Sequence, residues 1–303
     1  MVDMNAEAGG ALDLRDGDLR LPRRRADSHK GDYGRLLLLG GSVGYTGAPC
    51  LCARAALRAG AGLVYLGVPA PIYEIAAAKL DEAMPFPLPA EGGGFAPAAA
   101  EAAKETLDRC DVCAVGPGMG RGPGGVALVR SLLETWEKPL VIDADGLSAL
   151  AGHLDWLDGH RGFTVLTPHE GEFLRLGGTL TGDRTADARR FAMDHGCVLI
   201  LKGHGSVAAF PDGRAYRCTR GNPGMAKGGS GDALTGVLGA MLCQLPPDRA
   251  VLTGLWLHSL AGDLARDRFG EYAMLAGDLI ECLPAAAISM MEGNCSAPAS
   301  LGC

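Results

Sequence analysis

Six short, continuously apolar runs constrain this chain more than any other feature. They are Leu36–Leu39, Leu63–Val68, Val112–Val115, Leu140–Ile142, Thr164–Leu166 and Val198–Leu201. Alanine-rich segments with apolar residues at helical spacing lie between or beside them: Ala48–Ala59, Pro71–Lys79, Pro97–Arg109, Val126–Glu134 and Ala186–His195. A strand buried on both faces has no polar side to alternate with. Such strands separated by helices predict a parallel sheet with helices on both faces. Ser206–Phe210 and Arg214–Cys218 flank Pro211-Asp212-Gly213, strong turn chemistry, and read as a hairpin that adds an antiparallel edge. Asp232–Gln244, Ala250–Arg268 and Leu275–Met291 read as helices.

A chain of 303 residues without an internal repeat suits one large α/β domain. The expected boundaries are a lead-in over 1–28, the domain over 29–292 and a loose tail over 293–303. The lead-in carries Arg15, Arg20, Arg23, Arg24 and Arg25, which suit either a solvated helix end or a subunit contact. Net charge is −7, from 28 bases against 35 acids, so the electrostatic footprint of a nucleic-acid binder is missing. Met1 to Gly10 has no apolar core of a secretory signal, and no apolar run approaches the ~18 residues of a membrane span. The ten cysteines lie mostly in apolar segments and read as buried reduced thiols, in keeping with a cytoplasmic location. Cys110 and Cys113 form a lone CxxC without a second pair to complete a zinc site.

Glycine-rich loops follow the strands, at the edge where α/β sheets bind ligands. Gly221-Asn222-Pro223-Gly224-Met225-Ala226-Lys227-Gly228-Gly229-Ser230-Gly231-Asp232 is the most informative. Gly228, Gly229, Ser230 and Gly231 would open a helix whose free N–H groups form an anion hole. With Asp232 beside it as proton acceptor, the arrangement suits phosphoryl transfer. The bland alternative makes Ser230 a helix cap and Asp232 a complement to the dipole. A Walker-type P-loop is excluded, because the dipeptide Gly-Lys occurs nowhere.

Lys202-Gly203-His204-Gly205-Ser206 ends a strand and can lay charge and backbone N–H groups along a nucleotide, or simply turn into the hairpin. In Thr167-Pro168-His169-Glu170-Gly171-Glu172, Thr167 and Glu170 match a capping box. That leaves His169 free to face a ligand and Glu172 as a candidate to hold magnesium through water. Gly40 to Pro49 and Gly116 to Gly122 can bring backbone against a ligand or serve as plain loops. Gly120-x-Gly122-x-x-Gly125, with Asp143 and Asp145 about 20 residues on, also satisfies a dinucleotide fingerprint, though out of register with its loop and interrupted by Pro123.

In order, His29-Lys30-Gly31-x-x-Gly34, Gly40-Gly41-Ser42…Gly47-Ala48-Pro49, Gly116-Pro117-Gly118-Met119-Gly120, Asp143-Ala144-Asp145, Thr167-Pro168-His169…Glu172, Lys202-Gly203 and Gly221 to Asp232 resemble the ADP/ATP-dependent NAD(P)H-hydrate dehydratases. These form a branch of the ribokinase-like superfamily, and the likeness spans about His29 to Met291. The resemblance implies a three-layer α/β/α sandwich with a central, mostly parallel sheet, often a homotetramer. It implies a cofactor-repair lyase acting on the S epimer of NADH or NADPH hydrate, with ADP or ATP as phosphoryl donor and Mg2+. Ala48, Gly118, His169 and Asp232 would meet the hydrated nucleotide. Lys202, Gly203, His204, Gly205, Ser206 and Gly231 would line the adenine nucleotide. Lys227 stands where relatives often have threonine, and would either contact phosphate or be solvated. The 28 leading residues are too few for the companion epimerase domain sometimes fused upstream.

Two other enzyme classes remain open at this level. A small-molecule kinase of the hydroxymethylpyrimidine type would share the anion hole and Asp232 but keep the phosphate on its product. An NAD-dependent oxidoreductase would rest on the glycine fingerprint. A non-catalytic nucleotide sensor would leave Asp232 without a task.

Overall fold

The computed structural model describes residues 10–292. The tail expected over 293–303, and most of the segment read for a signal, lie outside the described residues. The strands are β1 (Leu12–Leu14), β2 (Arg35–Leu39), β3 (Leu63–Pro69), β4 (Met84–Leu88), β5 (Ala90–Glu91), β6 (Gly94–Phe95), β7 (Val112–Val115), β8 (Leu140–Ile142), β9 (Thr164–Leu166), β10 (Val198–Leu201), β11 (Val207–Ala209) and β12 (Ala215–Cys218). Ten of them form one sheet in the order β1-β12-β11-β10-β9-β8-β7-β2-β3-β4, while β5 and β6 pair separately.

Helices cover both faces, because alternate residues of the apolar strands point opposite ways. Leu36 and Leu38 join the core beneath the helices Gly47–Arg58, Ser230–Leu242, Pro247–Ala273 and Ala276–Glu292. Leu37 and Leu39 join the other core, beneath Pro123–Thr135, Asp145–Leu150 and Arg184–Asp194. The result is a three-layer α/β/α sandwich. Within the sheet only β11 runs against its neighbours, pairing antiparallel with β10 and β12.

Strands β7 to β10 have the bounds read from sequence, and β2 and β3 each gain one residue. The edges were harder to read. Pro85 and Pro87 mask β4, which pairs with β3 at one border of the sheet, where proline is tolerated. The helix expected over Pro97–Arg109 is two short ones, Ala99–Ala102 and Lys104–Asp108.

Residues 10–28, the described part of the lead-in read from sequence, contribute structure to the domain. β1 pairs parallel with β12, outside the hairpin, with Leu12 opposite Tyr216 and Leu14 opposite Cys218. Leu14 and Leu19 are buried in the core. Asp13 takes both guanidinium nitrogens of Arg217 at 2.7 and 2.9 Å, and Arg220 reaches Asp16 at 2.6 Å. Arg24 stacks over the Tyr33 ring at 3.6 Å and donates to the Gly60 carbonyl. No helix forms over Arg15–Arg25.

Candidate active site

The helix Ser230–Leu242 begins at the carboxyl edge of the sheet, and Gly229 is its cap at φ 100°. A Cβ at that left-handed position would also crowd Ala276 and Leu51, so glycine fits twice over. Ser230 is therefore the first helical residue rather than the cap. Its N–H reaches back to Lys227 O at 3.4 Å, and that of Ala233 to Gly229 O at 3.0 Å. Among the described residues no protein acceptor takes the N–H groups of Gly231 and Asp232, as expected for an uncapped first turn. Gly228 is exposed, and Gly229, Gly231 and Asp232 are half-buried, so the corner is open.

A polar cluster sits beneath this turn. Asp143, which follows β8, is 1% exposed, and its carboxylate is fully engaged. Lys202 Nζ lies 2.7 Å from Oδ1, and the Thr235 hydroxyl donates to Oδ2 at 2.7 Å. Thr235 stands one helical turn beyond Gly231, so the buried carboxylate and the helix start are held together. A Cβ added to Gly231 would lie 3.3 Å from Lys202 Nζ, which places the ammonium under the anion hole. Burial disfavours the charge on Lys202, but Asp143 and Glu172 outweigh it and the pKa rises. Burial and the neighbouring Asp143 raise the Asp232 carboxyl to about 6, with Lys202 partly opposing them.

Behind the turn, the His258 ring is buried and its Nε2 lies 2.9 Å from Ser230 O. Burial lowers its pKa to about 4, so the neutral ring donates one hydrogen bond that fixes the first turn. In front, Lys227 turns away from the anion hole. Its ammonium binds the carbonyls of Tyr272 at 2.6 Å and Met274 at 2.8 Å. Lys227 is exposed, and these two carbonyls are its partners. It ties the loop to the segment after the break at Gly270, where φ is 74°.

His169 and Lys202 lie side by side at the ends of β9 and β10, linked by the Lys202 N–H to Pro168 O at 2.8 Å. The capping box here differs from the one read in the sequence. His169 is the cap, its Nδ1 accepting from Gly171 at 3.0 Å and Glu172 at 3.3 Å, while Glu172 Oε2 accepts from His169 N–H at 2.9 Å. Thr167 and Glu170 are outside it; Glu170 pairs with Arg184 instead. The His169 ring is consequently held, with Nε2 3.6 Å from Glu172 Oε1, and its side chain stays 55% exposed. Glu172 lies 3.8 Å from Lys202 Nζ.

After Lys202, Gly203 and His204 are exposed, and Ser206 closes the turn on the Gly203 carbonyl at 3.0 Å. Arg184 props this segment by donating to the carbonyls of Leu201 and Lys202. Gly118 and Ala48 form a second wall. Gly118 has φ 62°, and a Cβ there would come within 2.9 Å of Tyr45 O and 3.0 Å of the Ala48 methyl. Ser42 donates to the Gly118 carbonyl at 2.9 Å. This wall adjoins the first because helix Gly47–Arg58 packs on helix Ser230–Leu242, with Cys52 O against Gly236.

Sequence reasoning assigned no role to Thr235 or His258, and met Asp143 only as an acid of the dinucleotide fingerprint and of the Asp143-Ala144-Asp145 motif. Asp143 stands directly after a buried strand, a signal that could have marked it as a ligand-edge carboxylate. Cys110 and Cys113 are buried thiols whose pKa values burial raises, which suits inert packing. Among the described residues, no cluster of three or more His, Cys, Asp or Glu could hold a metal ion. No helix among them is long and apolar enough to cross a membrane.

Comparison with known proteins gives concordant matches. The carbohydrate-kinase family model described as NAD(P)H-hydrate dehydratase matches residues 36–285. The bifunctional NAD(P)H-hydrate repair enzyme Nnr of Moorella thermoacetica is 47% identical over 271 residues, covering 88% of this chain and 51% of that protein. The chain thus spans about half the length of such bifunctional relatives. The ADP-dependent (S)-NAD(P)H-hydrate dehydratase of Neisseria meningitidis is 37% identical over 276 residues, covering 86% of this chain and 88% of that protein. Among solved structures, the ADP/ATP-dependent NAD(P)H-hydrate dehydratase of Bacillus subtilis, co-crystallized with ATP/Mg2+, superposes with a TM-score of 0.78 at 33% identity. It covers 89% of this chain and 95% of that one.

Proposed function

The chain belongs to the NAD(P)H-hydrate dehydratase family, and from that premise we propose that it dehydrates the S epimer of NADH or NADPH hydrate to the working cofactor. ADP or ATP supplies the phosphoryl group. Hydroxide is a poor leaving group from C6 of the hydrated ring, so the hydroxyl is converted to a phosphate ester first. The Asp232 carboxylate takes the hydroxyl proton as the oxygen bonds to the terminal phosphorus and the bond to the nucleotide breaks, releasing AMP or ADP. The ring nitrogen's lone pair then expels phosphate from C6, and loss of a C5 proton restores the dihydropyridine.

The observation that carries this reading is the open helix start, where outward N–H groups, the Lys202 ammonium and the raised Asp232 carboxyl converge. Gly228, Gly229, Ser230 and Gly231 hold the transferring phosphate. Lys202 to Ser206 and Gly231 line the nucleotide, while Ala48, Gly118 and His169 face the hydrated ring. Glu172 is already engaged by the His169 N–H and lies near Lys202, which fits a role toward magnesium through water rather than by direct ligation. Magnesium, held chiefly by the nucleotide's phosphates, would screen their charge. We place the enzyme in the cytoplasm as a homotetramer.

The test is to supply the purified protein with hydrated NADH, magnesium and either nucleotide. Recovery of the reduced-nicotinamide absorbance together with inorganic phosphate is the expected result. A stable phosphorylated product without phosphate release would make it a kinase instead.

A further inference from the structure

The dinucleotide-like glycines Gly120, Gly122 and Gly125 have no task in the chemistry above, yet Gly120 and Gly122 line a groove of about 320 Å³. Its other walls come from Arg121, Pro123, Val126, Asp145, Ser148 and Ala149. The groove adjoins the active site on two sides. Gly120 is two residues from Gly118, and Asp145 two residues from Asp143, so each pair lies within about 7 Å along the backbone.

Between the two aspartates, Ala144 is the one described non-glycine residue with positive φ, at 50° with ψ −118°. The Gly146 N–H closes the turn on Asp143 O at 2.9 Å. That conformation usually calls for glycine. It sends the two carboxylates to different tasks, Asp143 to Lys202 and Thr235, and Asp145 to the groove. Asp145 Oδ2 accepts from the Gly120 N–H at 2.9 Å, and Oδ1 keeps only a 4.0 Å approach from Arg121 Nε. The Arg121 side chain is 69% exposed and free to turn toward a stronger anion.

We propose that this groove receives the adenosine half of the hydrated dinucleotide, and that Arg121 binds its 2′-phosphate. The inference rests on the reaction proposed above and extends it to substrate choice. Pro123, Val126 and Ala149 offer apolar surface to the adenine. Asp145 and Ser148 offer acceptors to ribose hydroxyls, and Arg121 offers a cation where NADPH hydrate carries a phosphate and NADH hydrate does not. Volume agrees, since sites for small molecules begin near 300 Å³.

The experiment compares kcat/KM for the two hydrates in the wild-type protein, Arg121→Gln and Arg121→Lys. In Arg121→Gln the value for NADPH hydrate is expected to fall roughly tenfold through KM, while that for NADH hydrate stays unchanged. Arg121→Lys recovers part of the loss, and added salt narrows the wild-type preference but not that of the Gln variant. Equal change toward both hydrates, or no change toward either, overturns the subsite and leaves the reaction standing. A wild-type protein inert toward both hydrates overturns the reaction, and the subsite with it.

Discussion

Lys202 Nζ meets Asp143 Oδ1 at 2.7 Å directly beneath the first turn of the helix that opens at Ser230. The pair bridges the ends of two strands, and Thr235 locks the remaining carboxylate oxygen to the helix. The cation that would grip the nucleotide is therefore the one that neutralises a buried acid. Replacing it strands Asp143. Lys202→Met should cost about 3–5 kcal/mol in denaturant unfolding. Surviving activity should need higher pH, because Lys202 opposes the rise in the Asp232 pKa.

Asp232→Asn keeps the shape of the corner and removes the base. Turnover should drop about 10²- to 10⁴-fold, while nucleotide affinity measured by calorimetry is retained. Full activity in that variant would refute Asp232 as the proton acceptor.

The same carboxyl gives opposite pH signs for rate and stability. It must be ionised to act, so turnover should fall as pH drops through about 6. Its folded pKa is raised from 3.8, so its stabilising contribution is full below that value and lost as pH climbs through about 6. At pH 7 Asp232→Asn should consequently be more stable than the parent, on the order of 1–2 kcal/mol, in thermal or denaturant unfolding.

Lys227→Met removes the donor that holds the carbonyls of Tyr272 and Met274. Stability should fall by about 1–2 kcal/mol. The KM for nucleotide should rise more than kcat falls, since Gly228 and Gly229 lose their anchor. Lys227→Arg should restore much of both. A variant that loses stability with no change in KM would limit Lys227 to a structural tie.

The central strands were legible because burial on both faces leaves nothing but apolar residues, as in Val112–Val115 and Val198–Leu201. Border strands carry no such mark. β4 hides behind two prolines, and β1 is three residues long with Asp13 at its centre. The loop before Asp232 could be read because glycines cluster where backbone must approach a ligand. Asp143 and Thr235 could not be paired in advance, for they stand 92 residues apart and meet only after the sheet forms. The capping role of His169 was missed because its ring nitrogen does the work ordinarily left to a hydroxyl or carboxylate.

Placed outermost, β1 shields a row of main-chain donors and acceptors on β12 that would otherwise face water. A variant shortened by its first 20 residues would keep every group assigned to chemistry and still present a sticky border to its own copies. Its loss would show first as aggregation, with catalytic competence failing only afterwards.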